Sequence, residues 1–255
     1  MKHARVMVEG HVFDATEQDD QLRLSDGRTV EQAAVQWLAP LSAVARPRTV
    51  LALGLNYADH AKELAFKEPP KEPLAFVKGE AGLIGHRQFT RRPAGVKFMH
   101  YECELAVIIG RRAKHVRKGD ALDYVDSYSV ANDYAIRDYL ENWYRPNLRV
   151  KNRDTCTPLG PWRIDAADLH AQYGDRLELN LRTTVNGRLT QQGNTRDMIF
   201  DVPTLIEYFS SFMTLQPGDV ILTGTPDGVV DCQVGDVVVT EIEGIGALTN
   251  TISQG

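Results

Sequence analysis

Five consecutive apolar residues, Leu105 to Ile109, stop at Gly110 and follow Glu102-Cys103-Glu104. A run this short and this apolar reads as a strand buried on both faces. Residues two apart on a strand share a face and lie about 6–7 Å apart along it. Glu102 and Glu104 therefore project together at the mouth of a buried strand. Like charges so placed repel, and desolvation strengthens the repulsion. Either the pair stands in open water as an ordinary polar strand entrance, or something positive lies between them.

A Tyr- and Val-rich segment from about Tyr124 to Ala131 reads as the following strand and ends at Asn132-Asp133, with a helix expected from about Ala135. Asp133 can then converge on the two glutamates. Three carboxylates, read without a Cys or His ligand, form a hard all-oxygen site suited to Mg²⁺, Mn²⁺ or Ca²⁺ rather than zinc. Spacing alone leaves a solvated acidic edge equally open.

Four segments in order carry a resemblance: Tyr101-Glu102-Cys103-Glu104-Leu105; Val130 to Asp138 (Val-Ala-Asn-Asp-Tyr-Ala-Ile-Arg-Asp); Lys151 with Pro158-Leu159-Gly160-Pro161; and Leu222-Thr223-Gly224-Thr225-Pro226 with Gly228-Val229. Together they resemble the fumarylacetoacetate hydrolase superfamily over about residues 48 to 255. Within it, Gly54 to Ala61 and Arg137 to Lys151 are similar to the decarboxylase/isomerase subgroup of homoprotocatechuate (4-hydroxyphenylacetate) degradation. The resemblance implies a β-rich α+β fold, a mixed β-roll, carried by residues 48–255 with a small N-terminal β/α lobe at 1–47. It also implies one divalent cation, Mg²⁺ or Mn²⁺, on Glu102, Glu104 and Asp133, and commonly a homodimer or a pair with a homologous subunit.

The remaining sequence is consistent with this. A chain of 255 residues buries about 70–75% of its unfolded surface and needs no staple. A formal net charge of −5 gives no electrostatic case for nucleic acid or an anionic membrane. Cys103, Cys156 and Cys232 are scattered and form no CxxC, as expected in a reducing cytosol. No segment reads as a leader or a membrane span, so a cytoplasmic protein is expected. There is no GxGxxG, GxxxxGK[ST], HExxH or GxSxG.

Elsewhere the signals are local. Asp26-Gly27 marks a hairpin. Thr29 is read as the cap of a helix running to about Trp37, and Pro47 as a boundary. Thr49 to Leu55 is an apolar strand, after which Asn56 is placed to cap a helix. On that helix His60 and Glu63 stand three apart on one face. They read either as an exposed pair or as a base held by its carboxylate. The resemblance implies the second, on a lid, and Phe66 to Pro73 has the polar, Pro-rich composition of a flap.

Leu74 to Val77 is a short strand before Lys78, which the resemblance makes a substrate-binding candidate. Gly79 stands where that family usually has Pro, and Asn152 where Lys151 is usually followed by Gly. Arg91 to Lys97 reads as a solvated basic loop. Arg137 either forms a surface ion pair or grips an anion. Lys151 would offer charge or a proton to an enolate. Asn186-Gly187 turns a second hairpin, Asp201 caps an amphipathic helix, and Val237 to Ile252 forms a last hairpin. In the Thr223–Pro226 loop, Gly224 permits close approach and Thr225 offers a hydroxyl to a carboxylate.

The resemblance implies that a 2-oxo acid, or its 2-hydroxy-dienoic form, chelates the ion and reacts through an enolate. On this reading the chain is an isomerase, a decarboxylase, or both, acting on a dicarboxylic acid: 2-hydroxyhepta-2,4-diene-1,7-dioate or 5-oxopent-3-ene-1,2,5-tricarboxylate. Acylpyruvate hydrolysis or oxaloacetate decarboxylation is the alternative within the family. A non-catalytic metal- or ligand-binding module is the alternative outside it.

Overall fold

The computed structural model describes residues 1–58, 70–140 and 147–255. Among these residues, strands dominate. Ten run in one hydrogen-bonded path, from Thr29–Glu31 at one edge to Leu74–Lys78 at the other, and two more pair onto it. A five-stranded sheet and a two-stranded ladder complete the fold. This is the β-rich mixed architecture expected.

The strand Cys103–Ile109 lies near the centre of the large sheet, fully buried, between Val125–Asn132 and Val220–Leu222. Its alternation explains why the sequence shows an unbroken apolar run. Cys103, Leu105, Val107 and Ile109 enter the main core. Ala106 and Ile108 enter a smaller cluster on the opposite face, with Val50, Ala52, Val220 and Leu222. Each fully buried Leu or Ile there contributes roughly 1.5–3 kcal/mol of apolar transfer. Glu104 continues the even-numbered face, so the smaller cluster floors the site.

Past the edge of the sheet the chain returns to its middle. The edge strand Leu74–Lys78 is hydrogen-bonded to Asn152, and Leu83–Ile84 pairs in parallel with the start of Thr157–Asp165, a strand from the middle of the order. Lys78 reaches the carboxylates from this edge.

Two expected helices are absent. Thr29–Glu31 and Gln36–Leu38 are strands, with Leu22 paired to Val30 and Val6 to Trp37. Trp37 is almost fully buried and meets Trp162 edge-on at 5.2 Å. Burying that indole against the first strand outweighs the helix propensity of the Gln32–Ala34 stretch. Ala135–Ile136 is likewise a strand, paired with Met99–His100, and a 3₁₀ turn, Arg137–Tyr139, comes next among the described residues. Its backbone bonds go across the chain instead of four residues back.

The N-terminal strands add to the large sheet, where Lys2 and His3 pair with Ile164 and Arg163. Both later hairpins form as expected, Asn180–Val185 with Arg188–Asn194 and Val237–Ile242 with Gly246–Gln254. Asp201 caps the helix Val202–Phe212, accepting from the Thr204 amide at 2.9 Å. Arg92, in the segment read as a solvated loop, is buried and bonded to Asp231 and to the carbonyls of Val96 and Cys232. No helix among the described residues is long and apolar enough to cross a membrane.

Candidate metal centre

Strand register assembles the three carboxylates. Cys103 pairs with Asn132, which sets Asp133 opposite Glu102, and the Asp133 amide donates to the Glu102 carbonyl at 2.9 Å. Ala106 pairs with Leu222, so Gly224 stands opposite Glu104 and its amide donates to Glu104 Oε2 at 2.7 Å. One oxygen from each of Glu102, Glu104 and Asp133 lies within 4.8 Å of the others, and all three residues are buried.

Two lysines share this space. The Lys151 ammonium lies 2.6 Å from Glu102 Oε2, 2.9 Å from Asp133 Oδ2 and 3.1 Å from the Asp133 carbonyl. The Lys78 ammonium is bonded to Asp133 Oδ1 and, at 2.5 Å, to the Lys151 carbonyl. Burial alone would lower the Lys151 pKa, but Asp133, Glu102 and Glu104 outweigh it and hold the ammonium above its ordinary range. Burial pushes the Glu104 carboxyl well above the carboxylate range, and the charges of Asp133 and Glu102 push it further. Ionisation of Glu104 is therefore opposed in the absence of an added cation.

The donor set fits a small divalent ion. Three carboxylates face two ammoniums among the described residues, leaving one negative charge in excess. Glu104 Oε1 and Asp133 Oδ2 are buried without a hydrogen-bond donor, the latter close to Lys151 but off its bonding direction. Buried carboxylate oxygens are rarely left so, and hard oxygen ligands are what Mg²⁺ and Mn²⁺ take.

A histidine that the sequence reading passed over backs the site. His100 is fully buried, with Nδ1 3.0 Å from the Tyr101 carbonyl and 3.6 Å from Glu102 Oε1. Its Nε2 accepts from Arg137 Nε at 2.8 Å, which assigns the proton to Nδ1. Burial lowers its pKa to about 3, so it is neutral. The signal was the same alternation, since residues 100, 102 and 104 share a face. Arg137 thus stands behind His100.

The segment that Asn56 was expected to cap lies outside the described residues from 59 on; among the described residues Asn56 holds a distant loop. Its buried amide donates to the carbonyls of Phe200 and Thr223 and accepts from the Phe200 amide at 2.8 Å, pinning the Thr223–Pro226 loop. Gly224 lies in that loop at φ 86°, where an added Cβ would sit 2.8 Å from Asn56 Cβ. Thr225 is buried and its hydroxyl accepts from Gln191 Nε2 at 2.9 Å. We expect Gly224→Ala to destabilise the fold by about 1–3 kcal/mol through overpacking, with further strain from the left-handed backbone. It should also weaken Mn²⁺ binding by displacing Glu104. Thermal melts and a Mn²⁺ titration check both, and a variant matching the parent in each contradicts this role for the loop.

His60 and Glu63 lie outside the described residues, as do Phe66–Pro69 of the expected flap. Of the expected constellation, the structure brings together Glu102, Glu104, Asp133, Lys78, Lys151 and Gly224. It sets Arg137 behind His100 and turns the Thr225 hydroxyl to Gln191.

Comparison with known proteins decides the family. The profile for fumarylacetoacetate (FAA) hydrolase C-terminal matches residues 49–253. The chain belongs to the fumarylacetoacetate hydrolase family. A curated relative, the 4-hydroxyphenylacetate degradation bifunctional isomerase/decarboxylase of Salmonella dublin, is 57% identical over 213 residues, covering 84% of this chain and 48% of the relative. The chain thus spans about half the length of the first curated relatives it matches.

Among family members of known structure, the 5-carboxymethyl-2-hydroxymuconate delta-isomerase of Mycobacterium smegmatis superposes with a TM-score of 0.84 at 37% identity, covering 100% of this chain and 99% of that one. The maleylpyruvate hydrolase of Sphingobium sp. SYK-6, in complex with manganese(II) and pyruvate, superposes with a TM-score of 0.82 at 26% identity, with 100% of each chain covered.

Proposed function

We propose that this chain is a divalent-metal-dependent isomerase and decarboxylase of 2-oxo or 2-hydroxy-dienoic dicarboxylic acids in homoprotocatechuate catabolism. The observation that carries the reading is the buried set Glu102, Glu104 and Asp133, with two oxygens lacking donors and two lysines at its edge. The 57% identity to a bifunctional isomerase/decarboxylase supports the choice within the family, as does the full-length match to a single-unit isomerase. The manganese and pyruvate in the maleylpyruvate hydrolase support Mg²⁺ or Mn²⁺ as the ion and a 2-oxo acid as its ligand.

Glu102, Glu104 and Asp133 would hold the ion, which when bound supplies a Lewis acid toward a chelating 2-oxo acid. The chain's own residues do the rest. Lys151 presents a fixed positive charge where the enolate oxygen develops. Lys78 neutralises Asp133 and braces the Lys151 backbone. Arg137 is proposed to supply charge to the substrate's distal carboxylate. His60, with Glu63, is proposed to take and return the proton. The buried floor of Val50, Ala106, Val220 and Leu222 excludes water beneath the reacting carbons.

The proposed setting is the cytoplasm, consistent with three buried free thiols. A homodimer, or a pair with a homologous subunit, is proposed to supply what the longer relatives carry in one chain. The test is incubation with 2-hydroxyhepta-2,4-diene-1,7-dioate and with 5-oxopent-3-ene-1,2,5-tricarboxylate, following ultraviolet absorbance and CO₂ release. Turnover of acylpyruvates or oxaloacetate alone would instead assign the hydrolase or oxaloacetate decarboxylase reaction.

The two reactions separate His60 from Lys151. Decarboxylation creates the enolate by losing CO₂ and needs no base to start, whereas isomerisation must remove and replace a proton. We expect His60→Ala to lower isomerisation by about 10²–10⁴ and to retain a larger fraction of decarboxylation. Equal losses in both, with metal still bound, contradict this division.

A further inference from the structure

Among the described residues, the outer edge of the strand Leu74–Lys78 has no neighbouring strand in the sheet, yet it is hydrogen-bonded at one point. The Asn152 carboxamide donates from Nδ2 to the Val77 carbonyl at 3.1 Å, and its Oδ1 accepts from the Gly79 amide. A residue in a parallel strand makes this same pair of bonds, bridging a carbonyl and the amide two residues on. The inner edge of Lys78 is held by Val50 in the ordinary antiparallel ladder. Lys78 is therefore gripped on both sides, on one of them by a single side chain.

Asn152 directly follows Lys151, and its backbone amide closes the last turn of Leu148–Lys151 on the Leu148 carbonyl at 2.8 Å. The Lys78 ammonium reaches the Lys151 carbonyl at 2.5 Å. Two contacts thus join the segments that carry the two lysines, one through Asn152 outside and one through Lys78 inside. Gly79 supplies the N–H of the outer contact and Asn152 the carboxamide.

We propose that Asn152 is a positioning residue for the site lysines, a side-chain substitute for an edge strand that fixes the Lys78 and Lys151 ammoniums against Glu102 and Asp133. Gly79 is required for its N–H and not for conformational freedom. Its φ of −72° and ψ of 135° are open to any residue and match proline's own φ. An added Cβ would lie 3.5 Å from Asn152 Oδ1, an ordinary contact. Gly79→Pro therefore deletes this hydrogen bond and sets its ring carbon where the N–H pointed, so the Asn152 carboxamide must also withdraw, whereas Gly79→Ala keeps the bond. The catalytic consequence rests on the metal-dependent reading above, but the contact itself does not.

Four variants test it: Gly79→Pro, Gly79→Ala, Asn152→Ala and the double Gly79→Pro/Asn152→Ala. By amide hydrogen exchange followed with NMR, the Gly79 amide should exchange at least about tenfold faster in Asn152→Ala than in the parent, having lost its acceptor. With either substrate, Gly79→Pro and Asn152→Ala should each lower kcat about tenfold with KM within about twofold, as for an interaction expressed in the transition state. Gly79→Ala should match the parent. The double variant should fall no further than the worse single, since both remove one contact. Mn²⁺ affinity should hold within about twofold throughout, because the ligands sit on strands that Asn152 does not touch.

An unchanged Gly79 exchange rate in Asn152→Ala overturns the contact. Additive losses, or a Gly79→Ala variant as impaired as Gly79→Pro, overturn the positioning role. If the parent turns over neither substrate, the functional reading fails and the exchange measurement decides the contact by itself.

Discussion

Stripping the divalent ion with a chelator is expected to abolish turnover, and Mg²⁺ or Mn²⁺ to restore it. Glu104→Gln is expected to lower kcat by at least about 10³ at saturating metal, since a Lewis acid at a developing oxyanion supplies several kcal/mol. The same change should leave the metal-free protein as stable as the parent or more so. Burial and the charges of Asp133 and Glu102 oppose ionisation of Glu104. Gln keeps the acceptor for the Gly224 amide while removing the charge. Loss of activity with retained or raised melting temperature is the signature of a group kept for an ion rather than for the fold. A metal-free Glu104→Gln that melts well below the metal-free parent would show that Glu104 is structural.

Lys151→Ala is expected to lower kcat by about 10²–10³, or roughly 3–4 kcal/mol, for both substrates alike. It should also destabilise the metal-free protein by about 3–5 kcal/mol, the usual effect of removing one partner from a buried charge pair. Only Lys78 would then face three carboxylates among the described residues. Saturating Mn²⁺ should recover much of this stability, because at about a hundred times Kd a ligand adds roughly 2.7 kcal/mol, while kcat stays low. Melting curves with and without Mn²⁺, beside steady-state rates, separate the two effects. A kcat within tenfold of the parent contradicts a charge role for Lys151.

The central strand was legible because its chemistry is local. An apolar run between a charged mouth and a glycine admits few readings, and Glu102 and Glu104 followed from the two-residue period. Asp133 was legible as the end of the next strand, and the observed register puts it opposite Glu102. The hairpin at Asn186-Gly187 and the cap at Asp201 needed only turn and capping chemistry. Where the sequence misled, a distant partner had won. Trp37 and Val30 are strand residues because the first three strands receive them, and Ala135 is extended because Met99–His100 pairs with it.

The same limit governs the site. Lys78 was a candidate only through the resemblance, yet its ammonium meets Asp133. That meeting depends on the whole strand order and leaves no mark at residue 78. Asn56 was noticed only as a cap, yet among the described residues it also makes three bonds to residues 200 and 223, more than 140 positions away. Gly224 was noticed for its freedom near a ligand, but its amide serves Glu104.

The account turns on one ion held by three named carboxylates. Titrating chelator-stripped protein with Mn²⁺ and counting bound ions by electron paramagnetic resonance tests it most directly, in the parent chain and in Asp133→Asn. The predicted result is one ion per chain in the parent and at least about a hundredfold weaker binding in the variant. No bound ion in the parent, or equal affinity in Asp133→Asn, would contradict it.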